Sequence, residues 1–194
     1  LPAVFYHYEP KIGSNLSVEY STSLREPALE QLLPVVDNSD PLNVYTGNPN
    51  LKPEYVHDLG VNWMRFDAFS NTLFFASINS TYTQDRITNA GTIDSLFRRN
   101  LTPINVESDV LVNTYLNFSR PIRPIKCTVN LTLNSTWNRG ILFINDVRNN
   151  TDRWVNYLEA SLDNRRKKVV DFTVGARFTQ NSTAYSVSKN LNQA

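Results

Sequence analysis

The segment GNPNLKPE, residues 47–54, decides how the chain around it is organised. Gly47 can adopt a positive φ without a steric penalty. Pro49 and Pro53 fix their own φ angles and push the residues before them toward extended conformations. An alternating segment follows directly. The pattern therefore predicts a stiff corner that delivers Glu54 into a β-strand. Taken alone, the same residues would also suit an ordinary loop rich in proline and glycine.

The composition excludes several classes of protein. The chain has 194 residues and a net charge of +1, so it implies neither a nucleic acid nor an acidic partner. Two histidines and a single cysteine, Cys127, exclude a disulfide framework and a Cys/His zinc site. We therefore expect no cofactor and no bound metal. No apolar run has the length of a transmembrane helix, although barrel strands give a much weaker hydropathy signal.

Alternation of apolar and polar residues dominates most of the chain. The predicted fold class is all-β, an antiparallel up-and-down meander of about nine long strands. The predicted strands cover about 2–8, 15–24, 54–65, 72–86, 107–118, 125–137, 153–163, 169–180 and a ninth that begins near 184. Between the second and third strands, residues 27–33 predict a short helix, because Pro27 suits the first helical position.

Three features favour a membrane barrel over a soluble sandwich. The strands are about 10–14 residues long, which suits a tilted membrane strand. Aromatic residues of the apolar face gather near strand ends, where interfacial girdles lie. Connections alternate between short ones at 9–14, 66–71, 119–124 and 164–168 and long ones at 25–53, 87–106 and 139–152. The connection at 181–183 should be long in this scheme and is short.

The alternation also predicts which side chains face lipid. The expected outward residues are Leu59, Val129, Leu131, Leu133, Leu158, Phe172 and Val174. The expected inward residues are Asn130, Thr132, Asn134, Glu159 and Asp171. Short polar side chains on the inward face fit a wide lumen that holds water or a plug.

Residues 47–54 resemble the GNPxLKPE signature in the barrels of TonB-dependent outer-membrane receptors. The lead-in, from Arg25-Glu26-Pro27 to DNSDPL at 37–42, is similar to that of the Bacteroidetes outer-membrane β-barrel family. The resemblance implies a transmembrane barrel of about 22 strands in the outer membrane of a Gram-negative cell. It implies that residues 1–194 are part of one barrel domain, with the plug domain and the C-terminal strands outside this chain. The implied function is that of a receptor for TonB-dependent uptake of a nutrient substrate.

The resemblance also implies partners. They are outer-membrane lipid, the protein's own plug domain and remaining barrel strands, and TonB, which would bind through a missing N-terminal part. A surface lipoprotein is a further candidate partner, and nucleic acid is not expected. Two alternatives stay open at this point: a structural barrel or scaffold in a surface complex, and a soluble β-rich binding module.

The candidate site residues fall into two groups. The resemblance gives a structural corner, formed by Gly47, Asn48, Pro49, Leu51, Pro53 and Glu54. Aromatic and arginine residues recur in binding sites, so the ligand-binding candidates in the predicted outer loops are Tyr45, Phe97, Arg98 and Phe143.

Other reactive residues have simpler explanations. No nucleophile motif or phosphate loop occurs, so we do not expect an enzyme. Asp37 and Asp40 could hold a cation but are better suited to turns. His57 is best explained as an ordinary strand-end residue, and the basic run at 165–168 as a solvated turn.

Overall fold

The computed structural model describes residues 1–95, 97–145, 147–164, 171–187 and 191–193. One short helix and eleven strands form in this part of the chain. They are β1 (Ala3–Lys11), β2 (Ser14–Arg25), α1 (Leu29–Leu32), β3 (Val36–Asp37), β4 (Asn43–Thr46), β5 (Glu54–Asp67), β6 (Thr72–Ile93), β7 (Arg99–Ile122), β8 (Cys127–Ile144), β9 (Val147–Asn164), β10 (Thr173–Tyr185) and β11 (Leu191–Gln193). Among the described residues, no helix has the length and apolar character needed to span a membrane.

Nine of the strands form one antiparallel meander. Their order in the sheet is β1-β2-β5-β6-β7-β8-β9-β10-β11, so neighbours in space follow one another along the chain. The short strands β3 and β4 lie off this path, within the excursion between β2 and β5. The predicted fold class is confirmed, and so is a short helix within 27–33.

Tight turns join the strands at one end of the sheet. Gly13 adopts a φ of 79°, and a Cβ there would lie 2.5 Å from the carbonyl oxygen of Phe66, so only glycine fits. The amide of Phe66 donates to the carbonyl of Gly13 over 2.6 Å, which joins this turn to the next. Asn71 takes a φ of 52° in the turn between β5 and β6. The short connections predicted at 9–14, 66–71 and 119–124 are confirmed, while residues 165–168 lie outside the described residues.

The two faces of the sheet differ sharply in chemistry. On one face, Leu131 and Leu133 of β8 pair with Ala160 and Leu158 of β9. On the other face, polar side chains bond across the strands, as when Ser77 donates to Asn62 over 2.7 Å. Similar bonds join Thr81 to Asp58, Asn117 to Thr132, Thr136 to Asn113 and Asn130 to Asp163. The sheet therefore has an apolar face and a hydrogen-bonded polar face.

The apolar face is not covered by a second layer of protein in the described residues. Trp63 is 42% exposed and Leu158 is 47% exposed, and many large apolar residues are similar. Among the described residues, the apolar core residues that are buried lie instead near the corner: Leu51 precedes β5, Val56 is close to the start of β5, and Val106 is on β7. A water-soluble protein rarely leaves so large an apolar surface uncovered.

Two of the three predicted long loops are wrong. Most of residues 87–106 and 139–152 belong to strands, since β6 continues to Ile93 and β7 begins at Arg99, and β8 continues to Ile144 and β9 begins at Val147. Their mixed polar sequence resembles a loop, yet pairing along the extended strands satisfies the backbone groups. The ninth strand predicted near 184 is also wrong, because Ala184 and Tyr185 end β10. The predicted start of the eighth strand at 169–170 lies outside the described residues.

The uncovered face generates a prediction about lipid. Leu133 lies midway along the apolar stretch of β8, between Leu116 and Leu158. If this face meets hydrocarbon, as the resemblance implies, Leu133→Arg should destabilise the full-length protein by about 2–4 kcal/mol. Asn134→Arg, one residue along on the polar face, is the matched control and should cost little. Denaturant titrations of the folded protein in lipid measure both, and equal costs would contradict the assignment of the faces.

Candidate functional site

The end of the sheet opposite the tight turns carries the corner at 47–54. Gly47 does not use the positive φ that glycine permits. Glycine is required there because the chain passes directly against α1. A Cβ on Gly47 would overlap the carbonyl oxygen of Leu33 and lie 2.9 Å from the carbonyl oxygens of both Gln31 and Glu30. The corner is therefore fixed by close packing of backbone on backbone.

Asn48 connects the corner to two other parts of the chain and closes a turn within it. Its backbone amide donates to the carbonyl of Gln31 in α1 over 2.7 Å. Its side-chain amide donates to the carbonyl of Pro103 in β7 over 3.0 Å. Its side-chain oxygen accepts from the amide of Asn50 over 3.0 Å. Asn48 thereby holds the turn around Pro49 and attaches it to both α1 and β7.

Glu54 ends the corner with a buried carboxylate. Its side chain is 3% exposed. One oxygen accepts from Arg25 over 3.1 Å, and the other accepts from Arg86 over 3.0 Å and from the amide of Ile87 over 2.7 Å. Arg25 and Glu54 are also directly paired residues at the end of the β2–β5 ladder. The carboxylate therefore joins β2, β5 and β6 at one point, with each of its oxygens satisfied.

A two-stranded ribbon extends beyond this point. It is formed by residues 85–93 of β6 and 99–107 of β7 and is called the first ribbon. It leaves the sheet at Asp85, whose φ is 50°. Asn105 ties it to the corner, since its amide nitrogen donates to the carbonyls of Asp85 over 2.6 Å and Lys52 over 3.0 Å. The oxygen of the same side chain accepts from the amide of Lys52 over 2.8 Å. The base of the first ribbon is thus held to Lys52 of the corner by two hydrogen bonds.

In the first ribbon, β6 and β7 exchange the sides on which they meet their neighbours in the sheet. Within the sheet, β6 borders β5 and β7 borders β8. In the ribbon, β7 pairs in parallel with β4 at 99–101, and β6 pairs in parallel with β8 at 90–91. The twist of a two-stranded ribbon is larger than that of a wide sheet and accounts for this exchange of edges.

Residues 139–152 of β8 and β9 form a second ribbon, which is joined to its neighbours. The amide of Asn145 donates to the carbonyl of Gly91 over 2.8 Å, and Ile93 donates to the Asn145 side chain over 2.9 Å. Arg148 forms a bidentate pair with Glu107, at 2.8 and 2.7 Å. Hydrogen bonds from Arg148, and its charge, hold the pKa of the Glu107 carboxyl below its usual value. The two ribbons therefore form one connected platform.

The four ligand-binding candidates do not converge on one site. Phe97 stands at the tip of the first ribbon and is 86% exposed. Arg98 is next to it and pairs with Asp94 over 2.8 Å. Tyr45 lies opposite Leu101 on one edge of the ribbon, and Phe143 lies opposite Ala90 on the other edge. Burial raises the pKa of the half-buried Tyr45 hydroxyl. Only Phe97 offers a free aromatic surface at the outer tip.

The aspartates in the excursion hold turns. Asp37 accepts from the amide of Ser39 over 3.0 Å. Asp40 accepts from the amide of Leu42 over 3.0 Å and from the side chain of Asn43 over 2.7 Å. These hydrogen bonds keep the pKa of each carboxyl below its usual value. Turn formation, the simpler explanation from the sequence, describes what both side chains do.

Comparison with known proteins identifies the class of the chain. The sequence model of a family described as "Outer membrane protein beta-barrel family" matches residues 1–193. The chain belongs to this family. A search of curated proteins finds no match. The protein therefore resides in the outer membrane, and the alternative of a soluble binding module is wrong.

Membership in the outer-membrane barrel family shows which environment each face of the sheet contacts. The uncovered apolar face of the barrel lies against lipid, and the polar face lines its interior. Outer-membrane barrels have short turns on the periplasmic side and long connections outside the cell. The corner and both ribbons therefore lie at the extracellular end. Trp137 and Trp154, with ring centres 5.8 Å apart, pair on the lipid-facing surface toward this end.

Sequence reasoning missed the residues that bind the corner in place. Arg25, Arg86 and Asn105 gave no signal of their own, since Arg86 was the last residue of the strand predicted at 72–86 and Asn105 was assigned to a loop. The only available signal was register. Pro27 limits the end of β2, and Pro53 limits the start of β5. Antiparallel pairing of the two strands up to these prolines would have placed Arg25 opposite Glu54.

The close approach at Gly47 generates a prediction. Gly47→Ala should lower the stability of the full-length barrel by about 1–3 kcal/mol, because the added methyl group meets backbone atoms that cannot rotate away. Gly60→Ala is the matched control, since the nearest atom to its Cβ is a side-chain oxygen at 3.4 Å. Surface abundance and protease resistance measure the effect. Equal abundance of the two variants would show that the contact between the corner and α1 is dispensable.

The buried carboxylate generates a second prediction. Glu54→Gln keeps the shape but removes the charge that both arginines share, so it should cost about 1–3 kcal/mol of stability. Glu107→Gln breaks an arginine pair that is open to solvent, and its stability should stay close to that of the wild type. Denaturant midpoints of the full-length barrel compare the two. A larger loss for Glu107→Gln would refute the role assigned to Glu54.

Proposed function

We propose that this barrel is a TonB-dependent receptor that imports a nutrient substrate across the outer membrane. The observation that carries the proposal is the open nine-strand meander with a hydrogen-bonded polar interior face. Among the described residues, β1 pairs only with β2, and β11 pairs only with β10. Strand edges cannot stay unpaired in lipid, so these edges call for further strands and a wide barrel.

The interior face suits a wide lumen that encloses a plug domain. Many of its side chains are short and are already bonded to one another, so they do not need to fill the centre of the barrel. A charged cluster adds to this surface, in which Arg177 contacts Glu159 over 3.0 Å and stacks 5.1 Å above the ring of Tyr157. Tyr157 also donates to Glu159. In the proposal, residues 1–194 are part of one barrel of about 22 strands, and a plug contacts this polar wall.

In the proposal, the platform formed by the two ribbons at the extracellular end is where the substrate first contacts the barrel. The two ribbons project from the sheet as bonded structure, and Phe97 is presented at their tip. A rigid scaffold that carries an exposed aromatic residue is well suited to first contact with a solute or with a surface lipoprotein. The corner, by contrast, serves assembly. In this scheme TonB acts through a segment outside this chain, and the protein catalyses no reaction.

A structural barrel in a surface complex is the second candidate, because the connected ribbons would also suit a protein partner. The deciding experiment compares a strain that lacks the gene with a strain that lacks TonB. Uptake of chelated iron, cobalamin, glycans and peptides is measured in each. The proposal predicts that one of these uptakes is lost in both strains. Normal uptake of all four, with loss of a surface assembly, would favour the scaffold.

Single substitutions sharpen the test. Phe97→Ala should reduce uptake of the affected nutrient while surface abundance stays normal. Phe69→Ala is the matched control, because Phe69 is 87% exposed on a turn at the opposite end of the barrel. It should leave uptake unchanged. An equal effect of the two variants would exclude the tip of the first ribbon as the entrance.

A further inference from the structure

A groove lies on the lipid-facing surface at the periplasmic end of the barrel. Two adjoining depressions of about 460 and 420 Å³ share Trp63, Arg65 and Asp67, and together they are called the inner-rim groove. One side is formed by the turn around Gly13, and the other by Phe74 and its neighbours. The groove is therefore open toward the inner leaflet of the outer membrane.

The floor of the inner-rim groove is aromatic. The rings of Trp63 and Phe74 meet edge to face with their centres 5.0 Å apart, and Phe118 is paired with Phe74 on the next strand. Aromatic rings at this depth mark the boundary between acyl chains and headgroups. The floor therefore accommodates the upper part of an acyl chain and its glycerol unit.

Two cations border this floor and form no ion pair with the described residues. Arg65 is paired with Phe74 across the β5–β6 ladder, and Arg120 follows Phe118 by two residues on β7. The nearby acid, Asp67, lies close enough for its charge to attract that of Arg65, but its oxygens accept from the amide of Phe69 over 2.9 Å and the hydroxyl of Ser70 over 2.8 Å.

Further positive charge lies at the same rim. Lys11 lines the groove, and the guanidinium of Arg123 lies 5.8 Å above the ring of Phe69. Arginines bind phosphate through paired hydrogen bonds, and basic residues beside a membrane attract anionic headgroups. An apolar floor bordered by arginines that form no ion pair with the described residues is complementary to one class of membrane lipid. That class has acyl chains joined to a phosphate.

We propose that the inner-rim groove binds an inner-leaflet phospholipid, whose phosphate is held by Arg65 and Arg120 and whose glycerol unit and upper acyl chain rest on Trp63 and Phe74. The site is independent of the nutrient and of TonB. It fixes the depth of the barrel in the membrane at the end opposite the corner.

Native mass spectrometry of the full-length protein tests the site. Phosphatidylglycerol is titrated into detergent micelles that contain the wild type or the Arg65→Gln/Arg120→Gln variant. We expect the variant to bind the tightest lipid about tenfold more weakly, because it loses charge-assisted hydrogen bonds. The control, Arg139→Gln/Arg153→Gln, removes the same charge near the extracellular end and should bind as the wild type does.

Three further arms identify the ligand. Diacylglycerol, which lacks the phosphate, should bind weakly, and inorganic phosphate should not displace phosphatidylglycerol. Arg65→Lys/Arg120→Lys should bind with intermediate affinity, and it keeps the test informative if the glutamine variant does not fold. Lipid binding that is the same in all variants would overturn the proposal. So would equal binding of diacylglycerol, or displacement by inorganic phosphate.

Discussion

Hydrocarbon offers no hydrogen-bonding partner to a peptide group, and this constraint governs the whole molecule. From β5 to β9, each strand is paired on both sides within one antiparallel sheet. With the backbone satisfied in this way, the side chains alternate between lipid and the interior. The protein therefore has little of the buried core found in a soluble domain. Its polar residues bond to one another across the strands, as Ser77 and Asn62 do.

The same constraint explains the corner. The chain leaves the sheet after Arg25 and returns at Glu54, yet these two residues are opposite each other on the last rung of the β2–β5 ladder. The excursion must therefore return to one position without a slip, because a shift of one residue would turn the inward polar side chains of β5, such as Asp58 and Asn62, toward lipid. Three devices fix that position: the contact of Gly47 with α1, the bonds of Asn48, and the carboxylate of Glu54 between Arg25 and Arg86.

Sequence patterns predicted the part of the fold that is in contact with lipid. On β8, one face must be apolar at every second residue, so the alternation from Val129 to Leu133 is strict and easily recognised. Outside the membrane both faces of a strand meet water, and Gly91 and Pro103 interrupt the pattern. The ribbons were therefore predicted to be loops.

Local sequence could not predict contacts between distant segments. Glycine suits both a positive φ and a close backbone approach, and the sequence of the corner cannot distinguish them. In the structure, glycine is required for the close backbone approach, because α1 lies against Gly47. In the same way, the ligand-binding candidates could be chosen by residue type. That Tyr45 and Phe143 lie on opposite edges of the first ribbon depends on strand pairing between distant segments, which local sequence does not show.

The central claim is that this sheet is the lipid-facing wall of an outer-membrane barrel. A nitroxide scan of residues 129–136 in the full-length protein, with Cys127 replaced by serine and the protein in bilayers, tests it most directly. Collisions with oxygen, which concentrates in hydrocarbon, should peak at 129, 131 and 133. Collisions with a water-soluble nickel chelate should peak at 130, 132 and 134. A pattern without a period of two, or with the two reagents exchanged, would contradict the account.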